Sequence, residues 1–170
     1  MLQSLAIRDL VLIDRLDLAF GPGLAVLTGE TGAGKSILLD ALGLALGFRA
    51  DSGLVRPGAA QAVASAEFVL PADHPVRAIL DEAGFDGAGE RLVLRRIVGA
   101  EGRSRGFVDD QPASIGLVAR IGEALVEIHS QFDQHGLLDP ATHRETLDAY
   151  GGHGRELAAV TAAWRAWRDA

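Results

Sequence analysis

The stretch Gly29-Glu30-Thr31-Gly32-Ala33-Gly34-Lys35-Ser36 constrains this chain more tightly than any other. It satisfies G-x-x-x-x-G-K-[ST], the pattern of a phosphate-binding loop. Its glycines let the backbone curl so that successive N–H groups converge on a polyphosphate, and a helix beginning at the end of the loop adds the positive end of its dipole. Such a loop needs a strand in front of it and a helix behind it. Leu24-Ala25-Val26-Leu27-Thr28 reads as a buried strand, and Ser36-Ile37-Leu38-Leu39-Asp40-Ala41-Leu42 reads as a helix. Of the 16 basic residues, Lys35 is the only lysine. A compact ammonium fits among backbone amides where a planar guanidinium does not. Lys35 is therefore expected to reach the β- and γ-phosphates of a nucleotide, and Ser36 to set its hydroxyl on the accompanying Mg²⁺. The competing reading, a glycine-rich turn that matches by coincidence, does not explain the strand and helix on either side.

A length of 170 residues and 48% hydrophobic content suit a packed globular domain. With no cysteine there is no disulfide framework and no thiolate metal site. The N-terminal residues alternate like a strand, and their charges interrupt any signal-peptide core, so neither a secretory signal nor a membrane span is expected and the chain reads as cytoplasmic. A net charge of −7 provides no overall attraction to nucleic acid. The nearest thing to a basic patch is Arg91, Arg95, Arg96, Arg103 and Arg105, expected to form the solvated face of a hairpin.

Residues 3–9 and 15–20 read as strands, and Gly21-Pro22-Gly23 turns the chain toward the loop. The loop helix ends near Gly47, and a polar loop with Arg49 and Arg56 runs from Phe48 to Gly58. A strand over 62–70, a short helix from Pro75 to Ala83, and strands over 91–98 and 105–109 follow. Ser114 suits the N-cap of a helix reaching about Ala124, and Leu125-Val126-Glu127-Ile128-His129 is expected to return to a strand. Asp139-Pro140 starts a helix through about Tyr150. After Gly151-Gly152-His153-Gly154, residues 155–170 form a further helix in which Leu157, Val160, Trp164 and Trp167 follow the spacing of a coiled-coil seam, a pattern that an amphipathic helix packed on its own domain shares. The fold class is α/β, with a mixed sheet and flanking helices.

The flanks of the loop narrow the choice further. Leu5-Ala6-Ile7-Arg8-Asp9-Leu10-Val11-Leu12-Ile13-Asp14, Gly23 to Thr28, and Ile37 to Gly47 resemble the N-terminal region of the RecN family of bacterial DNA repair proteins, relatives of the SMC (structural maintenance of chromosomes) ATPases. Gly102-Arg103-Ser104-Arg105-Gly106-Phe107-Val108-Asp109-Asp110-Gln111-Pro112 and Leu125 to Leu138 extend the likeness along essentially the whole chain. The resemblance implies a P-loop NTPase of the ABC/SMC head type, N-terminal half. Residues 1–153 would form the half-head and 154–170 the start of a coiled-coil helix. It implies ATP and Mg²⁺ as ligands, with Gly29, Glu30, Thr31, Gly32, Ala33, Gly34, Lys35 and Ser36 around the phosphates. Gln131 matches the Q-loop glutamine, a neutral amide that can coordinate metal and orient water without adding charge; Gln134 is the alternative. Arg56, in Ser52-Gly53-Leu54-Val55-Arg56-Pro57-Gly58, matches an arginine loop associated with sensing nucleotide or DNA. The implied partners are DNA, a second ATPase head in a homodimer, and a C-terminal half-head returning on a coiled-coil arm with the Walker B carboxylates. The implied location is the bacterial cytoplasm, at the nucleoid.

His129 and His135 are six residues apart but have no third ligand nearby, so they read as polar loop residues, and Glu127 and Asp133 are weak candidates for a catalytic base. Two rival functions remain on the residues alone. A small-metabolite P-loop kinase would need an acceptor pocket that nothing here singles out. A non-catalytic interaction domain would not need the complete phosphate chemistry of Lys35 and Ser36.

Overall fold

The computed structural model describes residues 1–29, 34–87, 89–128 and 140–169. They fall into two compact units, Met1–Glu127 and Ile128–Ala170.

The first unit is built on six strands: β1 (Leu2–Leu10), β2 (Ile13–Ala19), β3 (Gln61–Val69), β4 (Arg91–Gly99), β5 (Ser104–Val108) and β6 (Gln111–Ala113). Their order is β2-β1-β3-β4-β5-β6, and every ladder among the described residues is antiparallel. Strand period sorts the side chains. Ala62, Ala64, Ala66 and Phe68 of β3, with Leu92, Leu94, Arg96 and Val98 of β4, are buried, while the alternate residues stay partly exposed. Three helices cover the buried face: α1 (Lys35–Ala45) lies over β1, β3 and β4, α3 (Ile115–Leu125) lies over β5, and the short α2 (Val76–Glu82) packs on α3. The small inner side chains of β3 allow α1 to approach closely, and α1 meets them with its own Ala41, Gly43, Leu44 and Ala45.

α1 ends where the Phe48 amide donates to the Gly43 carbonyl (2.9 Å) and the Gly47 amide to Leu44 (3.2 Å), with Gly47 at φ +92. This is a Schellman closure. It brings the end of α1 against α3 so tightly that a Cβ on Gly122 would lie 2.3 Å from the Leu46 carbonyl oxygen. The expected start of α3 is also found, with the Ser114 hydroxyl accepting from the Leu117 amide (3.2 Å).

The second unit contains α4 (Pro140–Gly151) and α5 (Gly154–Arg168). Gly152, at φ +68, separates them, with the His153 amide closing back on Asp148 (2.9 Å). Leu157, Val160, Trp164 and Trp167 are exposed along α5, and the Arg168 guanidinium lies over the Trp164 ring at 4.9 Å.

Three expectations are corrected. Leu24–Thr28 is not a buried strand: it joins no ladder among the described residues, and Leu24 and Val26 are 93% and 71% exposed. An apolar run becomes a strand only where a neighbouring edge satisfies its amides and carbonyls. The return to a strand after Ala124 also fails. Leu125 completes α3, and Val126 takes β dihedrals (φ −146, ψ 133) without a partner strand among the described residues; His129 lies outside them. The third correction is Arg96, which is 3% exposed and points to the helix-covered face, opposite its neighbour Arg95. Adjacent strand residues face opposite ways, so the two arginines could not both be solvated on one face.

Candidate nucleotide-binding site

Lys35 is the first residue of α1, and Gly34 enters the helix in the left-handed region (φ 87, ψ 6) without a side-chain cap. The first-turn amides of α1 therefore have no competing side-chain acceptor at the N-cap position. Orphan amides and the helix dipole together favour an anion there. Lys35 Nζ donates to the carbonyl oxygen of Gly29, the first residue of the motif. Ser36 is exposed beside it in the first turn. Sheet packing fixes the far end of α1, and that holds its N-terminus in place. These features fit a polyphosphate with a divalent cation: amide donors, one ammonium and one hydroxyl at the start of a helix.

Glu30, Thr31, Gly32 and Ala33 lie outside the described residues, as do Gln131, Gln134, His129, His135 and Asp133. Among the described residues no group of three or more His, Cys, Asp or Glu side chains is arranged to hold a metal.

Arg56 lies beside two carboxylates. Its NH1 lies 3.1 Å from Asp14 Oδ1 and 3.4 Å from Asp9 Oδ1, at the facing ends of β2 and β1, on either side of the turn that joins these strands. Its backbone amide donates to the Asp9 carbonyl (2.9 Å). Sequence reasoning missed Asp9 and Asp14. Asp9 and Arg56 are 47 residues apart, and no local pattern relates them.

The AAA domain family model matches residues 4–70, which include the loop. Over 168 residues the chain is 41% identical to the DNA repair protein RecN of Xylella fastidiosa (strain 9a5c), an alignment covering 99% of this chain and 30% of that protein. With RecN of Bacillus subtilis (strain 168) it shares 39% identity over 161 residues, 95% of this chain and 28% of that one. The chain belongs to the RecN family. It spans about 30% of the length of these curated relatives.

Solved structures agree on the fold of this RecN-family chain. An SMC head bound to the C-terminal winged-helix domain of ScpA matches with a TM-score of 0.64 at 22% identity, over 87% of this chain and 50% of that one. A chain from a structural study of ATP-driven dimerization and DNA stimulated activation of SMC ATPases matches with a TM-score of 0.61 at 20% identity, over 86% of this chain and 97% of that one. The fold is that of an SMC-type ATPase head.

Proposed function

We propose that this chain is the N-terminal, ATP-binding half of the head of a RecN-type, SMC-like ATPase that acts in DNA double-strand-break repair and recombination. The observation that carries the reading is the start of α1, where Gly34 in the left-handed region leads directly into Lys35 at an uncapped helix N-terminus. RecN relatives and SMC-type neighbours supply the setting for that site. Residues Gly29 to Ser36 would cradle the β- and γ-phosphates, Lys35 would exchange its Gly29 carbonyl for phosphate oxygens, and the Ser36 hydroxyl would ligate Mg²⁺. Bound Mg²⁺ would supply neutralisation of the charge on those oxygens. Gln131 would orient water and metal as the Q-loop residue, and Arg56 would meet phosphate oxygens of nucleotide or DNA.

In the full-length protein this half-head would pair with a C-terminal half-head that returns on a coiled-coil arm, whose opening is residues 154–170. A second head would complete the ATP site, so that the γ-phosphate couples nucleotide state to dimer geometry and DNA engagement in the bacterial cytoplasm. No helix among the described residues is long and apolar enough to cross a membrane.

Lys35→Ala tests the site. Loss of a charge contact made to the ligand weakens Mg²⁺-dependent ATP binding in equilibrium dialysis by about 1.5–3 kcal/mol while leaving the circular dichroism spectrum unchanged. Unaltered affinity overturns the P-loop assignment.

A further inference from the structure

We propose that Asp9 and Asp14 form a carboxylate gate on Arg56, competing with phosphate oxygens for its guanidinium. This deepens the reading of Arg56 as a phosphate-sensing residue and rests on it.

The backbone around Arg56 is held firmly. The Val11 amide donates to the Leu54 carbonyl (2.8 Å), the Arg56 amide donates to the Asp9 carbonyl (2.9 Å), and Leu10 pairs with Val55 in an isolated bridge. Leu10 is fully buried and Val55 nearly so. The turn itself is strained, with Asp9 and Val11 both at φ 50. A β-branched residue in that region is a true outlier, and it persists only where its surroundings over-determine it. The surroundings here are the Arg56 loop. Turn and loop thus form one rigid corner, and the soft part of that corner is the Arg56 side chain.

That side chain is 41% exposed, and both carboxylates engage the same atom, NH1. Among the described residues, Nε and NH2 have no partner. The guanidinium therefore keeps an edge open to a bidentate anion. Exposed ion pairs stabilise little, so a phosphate can displace these two, yet two negative charges beside the open edge oppose its arrival. The ligand class is a phosphate oxyanion, from either a nucleotide or the DNA backbone.

The full-length protein tests the gate in two arms: Mg²⁺-dependent titration with a fluorescent ATP analogue, and duplex DNA binding followed by fluorescence anisotropy without nucleotide. Asp9→Asn with Asp14→Asn keeps the shape of both side chains, and asparagine tolerates the left-handed turn. The double variant binds one of the two ligands about two- to fivefold more tightly, and the arm that gains identifies the phosphate source. Asp14→Asn alone, which leaves the strained turn untouched, gives part of the same gain. The gain disappears in an Arg56→Gln background. The gain of Asp14→Asn alone also exceeds that of Asp17→Asn, a charge-matched control on β2 whose carboxylate pairs with Arg8 and Arg15 instead. If Arg56→Gln alone weakens binding but the Asp variants gain nothing, or gain equally without Arg56, the gate is overturned while the role of Arg56 stands. If Arg56→Gln alone changes neither arm, both readings fall.

Discussion

Arg96 carries a charge into the helix-covered side of the sheet. Its Nε donates to the Ser104 hydroxyl at 2.6 Å, its NH1 has no partner among the described residues, and burial lowers its pKa. A buried cation with one good hydrogen bond is poorly compensated. Ser104→Ala removes that bond and costs about 1–3 kcal/mol in chemical denaturation. Arg96→Met removes the charge as well and is near neutral or stabilising; a large loss in Arg96→Met with none in Ser104→Ala reverses this account. Asp109 presents a second residue-scale case. It takes φ 45 in the β5–β6 turn, its Oδ1 accepts from the Val93 amide (2.7 Å), and desolvation raises its carboxyl pKa above the ordinary 3.8. A raised folded pKa contributes stability below the ordinary value, and that contribution is lost as pH rises through the folded one. Asp109→Asn keeps the acceptor and does not titrate. Its melting temperature should exceed that of the unsubstituted protein at neutral pH, with the gap closing below 3.8. A gap independent of pH removes the ionisation argument.

At the scale of elements, the P-loop depends on contacts at the opposite end of its helix. α1 begins at Lys35 and ends in the closure at Gly47, where α3 lies so near that a Cβ on Gly122 would collide with the Leu46 carbonyl. Backbone cannot yield as a flexible side chain can. Gly122→Ala therefore forces the two helices apart and costs about 1–3 kcal/mol, read as a lower denaturation midpoint with an unchanged slope. A neutral substitution would mean that the contact is looser than the geometry indicates. The hairpin that adds β6 depends on local backbone in a different way. Asp109 and Asp110 both take positive φ (45 and 65), as a two-residue turn between antiparallel strands requires, although neither is the glycine usually found there.

Over the whole molecule, two exposed apolar features have no cover among the described residues. One is the unladdered run with Leu24 and Val26, and the other is the α5 seam. A seam of Leu157, Val160, Trp164 and Trp167 at coiled-coil spacing buries itself against a second helix when one is available. Alone in solution, it drives self-association. Trp164→Glu with Trp167→Glu should improve monodispersity in light scattering without altering nucleotide affinity. If that pair unfolds the protein, α5 belongs to a packed core and the coiled-coil reading of residues 155–170 fails. The net charge of −7 leaves association with DNA to local features, and two arginines on the sheet face away from the helices are held by acids: Glu67 pairs with Arg91, and Asp110 with Arg95.

Sequence alone determined the features whose causes are local. Glycine spacing and the single lysine located the P-loop, apolar periodicity located α1 and β3 to β5, and the Ser114 hydroxyl marked the start of α3. The β6 hairpin escaped because its turn lacks the glycine that advertises such a connection. Tertiary structure alone decided the rest. Leu24–Thr28 has the composition of a strand, but pairing needs an edge supplied from elsewhere. The contact of Arg56 with Asp9 spans 47 residues, and a charge does not announce its partner. The direction of Arg96 depends on which face of β4 the helices cover, a choice made when the core closes around them.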